Sequence, residues 1–188
     1  MAENPLTLPV RELTDAYARG ELNPIDVTED VLDRIDRFDP ELRAYVTVTA
    51  DLARKQAAEA AERYRRGERA PLLGVPVSIK DAFHLADTET GLGSLTQRGR
   101  IARSDSGAVA RLRAAGSVMP GKTHVPEFCQ SATSDNLLGR ETGNPWDPSR
   151  TPGGSSGGAA ASVGAGLATI ALGSDGGGSI RIPSAFSG

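Results

Sequence analysis

The sequence predicts an α/β fold, because it combines two patterns of apolar residues. Over most of residues 9–66, apolar residues recur at the spacing of amphipathic helices. In residues 71–79, Val75, Val77 and Ile79 recur at every second position, which is the period of a strand. A chain of 188 residues is long enough to form one domain with a buried core.

The N-terminal part, residues 1–70, is predicted to be a helical lead-in. Gly20 is suited to end the first helix. Asn23 and Pro24 are typical of the cap and the first position of the second helix. The predicted elements are a helix over 9–19, a helix from Pro24 that ends near Asp39 and Pro40, a strand over 44–49 and a helix over 51–66.

The strand over residues 71–79 is followed directly by a charged residue. Alternation along a strand places Val75, Val77 and Ile79 on one face, so Ser78 and Lys80 point to the other. A lysine at the end of an apolar strand must be desolvated, paired with another group or functional. Lys80 is therefore a candidate site residue.

The other predicted elements follow in order along the chain. They are an ordered loop over 81–103, a helix over 105–115, a strand over 117–120, irregular structure over 126–152, a helix over 157–164, a strand over 168–172 and a helix that starts at Ser179. Residues 116–123 match the phosphate-loop pattern. That loop needs a strand before it and a helix after it, whereas here a helix precedes it and Pro126 opposes a following helix. Residues 121–123 are therefore predicted to form a turn and not a nucleotide site.

Composition excludes several classes of function. A net charge of -3 and a pI near 5.5 give no reason to expect nucleic acid as a partner. The uncharged run over 151–174 is too rich in Gly, Ala and Ser for a membrane helix. The single cysteine, Cys129, allows no internal disulfide, and residues 1–5 show no secretory signal. We therefore expect a cytoplasmic protein without a membrane partner.

Two serines lie in glycine-dense segments, which favours nucleophilic chemistry. Ser155 is central in a Gly-x-Ser-x-Gly pattern, but that pattern requires a histidine downstream. His84 and His124 both lie upstream, so a histidine-based triad within the chain is disfavoured and both are predicted to be ordinary polar residues. No histidine follows Cys129, which is predicted to be a buried structural cysteine. The sequence has no metal-binding motif, so a metal site is not expected.

Several separated motifs together resemble those of the amidase signature family. They are Gly74-Val-Pro-Val-Ser-Ile-Lys80, Gly121-Lys-Thr123, Asn144-Pro-Trp146 and the glycine-dense stretch 152–183. The resemblance implies a mixed central sheet covered by helices. It also implies that residues 1–188 are the N-terminal part of a single amidase-signature domain, with the catalytic core motifs in 71–188. The family continues past residue 188, so we expect the fold to be incomplete at the C-terminus.

The resemblance also implies the roles of the site residues. Ser179 is the nucleophile, Ser155 is the bridging serine held after a cis peptide bond, and Lys80 is the base. Consecutive backbone amides with little side-chain bulk suit an oxyanion hole, which we assign to Gly176, Gly177, Gly178 and Ser179. Four residues are expected to support the turn or the triad, namely Ser156, Ser174, Asp175 and Arg181.

The implied function is an amide hydrolase that forms an acyl-enzyme on Ser179 and takes a small-molecule amide as its substrate. This function implies no metal and no organic cofactor. One alternative is a glutaminase-type subunit of a tRNA amidotransferase, for which tRNA would be a partner. A non-enzymatic alternative is an inactive fragment of a longer amidase. We expect the 188-residue polypeptide alone to be poorly soluble or inactive. The identity of the amide and the oligomeric state, with a homodimer as one option, stay open.

Overall fold

The computed structural model describes residues 5–139 and 141–188. Residues 1–4 lie outside this range. The prediction that residues 1–5 show no secretory signal therefore falls mostly outside the described residues. The helices are α1 (Val10–Arg19), α2 (Pro24–Leu42), α3 (Ala50–Arg65), α4 (Gly107–Ala114), α5 (Gly157–Gly164) and α6 (Arg181–Ser187). The strands are β1 (Tyr45–Val48), β2 (Val77–Lys80), β3 (Gly121–Thr123) and β4 (Ile170–Leu172). Short 3₁₀ helices lie at Pro5–Thr7, Leu95–Gln97 and Glu127–Cys129.

The predicted helices are confirmed, and their boundaries agree with the structure within two residues, with one exception. Helix α4 is shorter than the predicted 105–115, and the helix predicted to start at Ser179 begins at Arg181. Gly20 ends α1 in the left-handed conformation, and the Asn23 side chain caps α2 by accepting the Ile25 amide. The exception is the end of α2, which continues past Pro40 to Leu42. A proline in the last turn removes only its own amide hydrogen bond. The helix closes where Arg43 turns left-handed and donates its amide to Asp39.

The four strands form one mixed sheet in the order β1-β3-β2-β4. Strand β2 runs parallel to both β3 and β4, and β1 pairs antiparallel with β3. The predicted mixed α/β architecture is therefore confirmed. The carboxyl ends of β2, β3 and β4 meet at one edge of the sheet, which is where α/β sheets place their ligand sites.

Two strand predictions were displaced along the chain. Residues 71–74 form a turn, and the strand begins only at Val77. The strand predicted over 117–120 lies instead at Gly121–Thr123, so the predicted turn there is wrong. Residues 121–123 are extended because they pair with β1. Strand β1 approaches so closely that a Cβ at residue 121 would collide with the Thr47 carbonyl oxygen. Glycine is needed here for packing between strands and not for a turn.

The predicted facing of β2 is confirmed. Val75, Val77 and Ile79 belong to one buried apolar cluster, together with Leu85, Val109 and Met119. Ser78 points to the opposite face, where its hydroxyl lies 2.8 Å from that of Ser162 in α5. No helix in the described part of the chain is long and apolar enough to cross a membrane.

Candidate active site

The candidate site lies at the carboxyl edge of the parallel strands. Lys80 is the last residue of β2, and Ser174 lies two residues after β4. Ser155 and Ser156 immediately precede α5, which packs against β2 and β4. Three segments that are distant in the sequence therefore converge on the end of β2.

The Lys80 amino group is enclosed by hydroxyl groups. Its side chain is fully buried, with 0% of the residue exposed. The Nζ atom donates to Ser155 Oγ at 2.7 Å and to Ser156 Oγ at 2.9 Å. It also donates to Ser174 Oγ at 3.0 Å and to the Ser174 carbonyl oxygen at 3.4 Å. Within the described residues Lys80 forms no ion pair.

This environment changes the protonation of Lys80. Burial lowers the pKa of Lys80 below its ordinary value, because desolvation disfavours the ammonium form. The neighbouring Cys129 and the carboxylate of Asp175 oppose that shift. The lysine is thus shifted toward the neutral amine that a general base requires.

The peptide bond between Gly154 and Ser155 is cis, which confirms the prediction from the resemblance. Glycine at residue 154 is required by packing, because a Cβ there would collide with the backbone of Thr133. The neighbouring Ser134 hydroxyl donates to the Gly153 carbonyl at 2.8 Å. The loop that contains Thr133 and Ser134 therefore fixes the backbone that presents Ser155.

Ser179 lies in the same cavity as Ser155 but makes no hydrogen bond with it. The cavity has a volume of about 380 Å³. The Ser179 carbonyl accepts the Ser156 amide at 3.1 Å, which ties the glycine-rich turn to the start of α5. The structure therefore brings Lys80 and Ser155 into direct contact and places Ser179 in the lining of the same cavity as Ser155. The cavity is lined by Cys129, Gln130, Ser131, Ala132, Gly154, Ser155, Ser174, Gly176, Gly177, Ser179 and Ile182.

The turn that presents Ser179 is organised by Asp175. Its carboxylate accepts the amides of Gly178, Ile180 and Arg181 at 2.8, 3.0 and 3.2 Å. The Arg181 guanidinium donates to both carboxylate oxygens, and these bonds hold the pKa of Asp175 well below its usual range. One of the four predicted oxyanion donors, the Gly178 amide, is thus already engaged.

The other three predicted donors are the amides of Gly176, Gly177 and Ser179. They donate to no group within residues 5–139 and 141–188. Gly176 and Gly177 are exposed and border the cavity. These amides are therefore able to donate to an anion at this edge of the cavity.

Sequence reasoning misjudged Cys129 and missed two charged residues. Cys129 was predicted to be buried, but it is half-buried and lines the cavity, and its backbone is left-handed with φ 59°. Asp81 and Lys122 form a buried ion pair beside the site, with Nζ 2.5 Å from Oδ1. The position of Asp81 directly after Lys80 was the one available signal for the pair.

Neither histidine lines this cavity. His124 is buried and follows β3, with Nε2 3.3 Å from Asn136 Nδ2. Burial and the nearby Arg43 lower the pKa of His124. Among the described residues, no group of three or more His, Cys, Asp or Glu side chains is arranged to hold a metal ion.

Comparison with known proteins gives a consistent result. The model of the family described as Amidase matches residues 26–188. AmiB2 of Mycobacterium bovis, described as a candidate amidase, is 52% identical over 171 residues, which are 91% of this chain and 37% of that protein. A glutamyl-tRNA(Gln) amidotransferase subunit of Carboxydothermus hydrogenoformans is 45% identical over 182 residues, which are 96% of this chain and 38% of that protein. The chain therefore spans well under half the length of these relatives.

Solved structures show the same similarity. A structure of fatty acid amide hydrolase has a TM-score of 0.94 and 31% identity, and the match covers 100% of this chain and 34% of that one. The peptide amidase PAM in complex with the inhibitor chymostatin has a TM-score of 0.89 and 37% identity, and the match covers 100% of this chain and 39% of that one.

Proposed function

Because the chain belongs to the amidase signature family, we propose that it carries the catalytic groups of an amide hydrolase. The proposed reaction cleaves the carboxamide of a small molecule in two stages, through an acyl-enzyme on Ser179. It uses no metal and no organic cofactor.

The observation that supports this proposal most directly is the set of partners of Lys80. The amino group of this fully buried lysine donates to three hydroxyls and a carbonyl, and no carboxylate among the described residues is in direct contact with it to compensate a charge. Ordinary buried lysines are paired with an acid. A neutral amine in hydrogen-bond contact with a serine instead has the arrangement of a nucleophile and its base.

In the first stage, Ser179 Oγ attacks the carbonyl carbon of the amide. Ser155 Oγ accepts the Ser179 proton and passes its own proton to the neutral Nζ of Lys80. In this structure Ser179 and Ser155 are not hydrogen-bonded, so the two hydroxyls must approach each other when substrate binds. Catalytic hydrogen bonds often tighten in this way in the substrate complex.

The charge that develops on the carbonyl oxygen is stabilised by backbone amides. We assign this role to Gly176, Gly177 and Ser179, whose amides are free, and not to Gly178, whose amide is held by Asp175. The proton on Lys80 then returns through Ser155 to the leaving nitrogen, and the amine or ammonia departs. Water attacks the acyl-enzyme in the second stage and releases the acid.

A fluorophosphonate probe followed by peptide mapping tests this proposal, with the full natural polypeptide that carries this chain. Label on Ser179 that is lost in Ser179→Ala supports it. Label on Ser155 would instead indicate a nucleophile elbow, and the absence of label from a folded protein would contradict the proposal. Release of ammonia from simple primary amides provides a second, independent measurement.

A second candidate is the glutaminase component of a tRNA amidotransferase, favoured by the 45% identity with one subunit of such an enzyme. The two candidates share the chemistry at Ser179 and differ in their substrates. Hydrolysis of glutamine that is stimulated by glutamylated tRNA would favour the second candidate. Hydrolysis of varied amides without such stimulation would favour the first.

A further inference from the structure

The Asp81–Lys122 ion pair adjoins the end of β2, because Asp81 directly follows Lys80. Lys122 is fully buried and Asp81 is 3% exposed. Burial raises the pKa of Asp81 and lowers the pKa of Lys122, and the opposite charge of each partner opposes these shifts. Glu89 is a further charged group that acts on Lys122.

The ion pair joins three segments of the chain. Lys122 in β3 donates to the Glu89 carbonyl at 2.7 Å and to Thr90 Oγ1 at 2.8 Å, in addition to its contact with Asp81. Asp81 Oδ2 accepts the Gly91 amide at 3.0 Å. The side chains of Asp81 and Lys122 therefore connect the end of β2, strand β3 and the loop over 89–91.

This connection lies next to Lys80 but on the other face of the sheet. The Asp81 amide donates to the Thr123 carbonyl at 3.0 Å, so the pairing of β2 with β3 continues past Lys80. In the sheet, Lys80 is paired with Thr123 and Ile79 with Lys122. Because successive residues of a strand point to opposite faces, a fixed Asp81 also fixes the direction in which Lys80 leaves the strand.

We propose that the Asp81–Lys122 pair positions Lys80, by fixing the carboxyl end of β2 so that the Lys80 amino group stays among its three hydroxyls. This inference rests on the proposed function, because it assigns the pair a role in the same reaction. Stability alone does not explain the pair, since apolar residues of similar volume often replace a buried ion pair without loss of stability. A small displacement of a catalytic group, by contrast, can lower a rate by about 10²-fold.

The test uses the double variant Asp81→Asn/Lys122→Met in the full natural polypeptide, so that neither partner leaves an unpaired charge. The rate of fluorophosphonate labelling at Ser179 is measured as a function of pH, together with the midpoint of thermal unfolding. The NMR titration of the Lys80 amino group is followed in parallel. The groups that face Lys80 are the hydroxyls of Ser155, Ser156 and Ser174, with Cys129 and Asp175 as the titratable neighbours.

We expect labelling to slow by about 10- to 100-fold. Loosening of β2 re-solvates the amine, so the Lys80 titration and the acidic limb of the labelling rate should both move to higher pH. Thr90→Val, which removes one hydrogen bond from Lys122 and keeps the pair, should cause a smaller shift in the same direction. The Thr90→Val variant therefore still tests the inference if the double variant does not fold.

The matched control is Asp105→Asn/Arg113→Met, which removes an ion pair with N···O distances of 2.6 and 3.0 Å that lies away from the cavity. This control should keep the wild-type rate and pH profile. If the double variant at 81 and 122 also keeps both, and its Lys80 titration is unchanged, the positioning role is wrong. Failure of the wild-type protein to label would contradict the proposed function alone, because the Lys80 titration still tests the positioning.

Discussion

Lys80 and Lys122 lie on adjacent strands, are both fully buried and differ in the groups that surround them. Lys122 lies against a carboxylate, a hydroxyl and a carbonyl, which is how proteins usually accommodate a buried ammonium. Lys80 Nζ donates to hydroxyl and carbonyl oxygens and forms no ion pair within the described residues. The comparison teaches that burial by itself does not distinguish the proposed base from the other lysine, whereas the absence of a carboxylate in direct contact does.

The largest expected effect is the loss of labelling at Ser179 in Lys80→Met. Removal of a general base costs about 10²- to 10⁴-fold in rate. Thermal unfolding should change little or improve, because methionine replaces an amine that has no charged partner. An active Lys80→Met variant would show that the difference between the two lysines has no catalytic meaning.

Lys122→Met should have the opposite profile, with stability as the property most affected. Removal of one partner from a buried ion pair typically costs about 3–5 kcal/mol, because the other charge is left uncompensated. Denaturant unfolding measures this cost. Adding Asp81→Asn should restore most of the stability, and failure of that rescue would mean that the Asp81 carboxylate is not the destabilising group.

Asp175→Asn should lower the labelling rate by about 10-fold, which is less than the loss of a whole oxyanion donor. The asparagine keeps one oxygen for the amides of the turn but weakens its bonds to Arg181. The rate constant for labelling of correctly folded protein measures this effect. Asp147→Asn, at an exposed carboxylate outside the cavity, is the control and should be neutral.

The pH dependence should also separate the two lysines. In the proposed reaction the neutral amine of Lys80 is the active form, so labelling should rise with pH and level off below ~10.4, the ordinary lysine pKa. Because the folded pKa of Lys80 is lowered, the unfolded chain binds the extra proton between the two pKa values. Stability should therefore rise with pH through that window, and the part of this slope that Lys80 contributes should be lost in Lys80→Met. Lys122, whose pKa is also lowered by burial, should contribute the slope that remains. An acidic limb centred at or above the ordinary value would contradict the lowered pKa.

The smallest expected effect is that of Ser174→Ala, which removes one of the three hydroxyls around Lys80. A single hydrogen bond contributes about 0.5–1.5 kcal/mol, so labelling should fall by about 2- to 10-fold. Ser162→Ala is a matched control, since Ser162 is a buried serine of α5 that bonds to Ser78 and not to Lys80. Equal effects of the two substitutions on labelling would count against a specific role for Ser174.

The sequence predicted the position of Lys80 but not that of Lys122, for a physical reason. The alternation of Val75, Val77 and Ile79 is long enough to define a face, so the side occupied by Lys80 could be read from it. Lys122 lies in a strand of three residues, Gly121–Thr123, which is too short to show a period. Its partner Asp81 and the loop over 89–91 come together only through the tertiary fold.

The structure of the glycine-dense segments and the cavity beside them was also predicted only in part. The bounds of α5 were predicted correctly, because glycine and small residues set its limits in the sequence. The cavity wall at Cys129 was not predicted, because it depends on two consecutive left-handed residues, Phe128 and Cys129. Neither is a glycine, so the sequence does not indicate the left-handed conformation. The engagement of the Gly178 amide by Asp175 likewise required the folded geometry of the turn.

The parallel pairing of β2 with β4 has a consequence for how correct folding of the protein can be measured. Lys80 ends β2, and Ser174 follows a strand that lies about 90 positions later in the chain, yet the two side chains meet. A shift of β2 by one residue against its neighbours would turn the amine into the apolar cluster and separate it from the serines. A fluorophosphonate probe that reacts with Ser179 would therefore label only molecules in which β2 and β4 are aligned correctly.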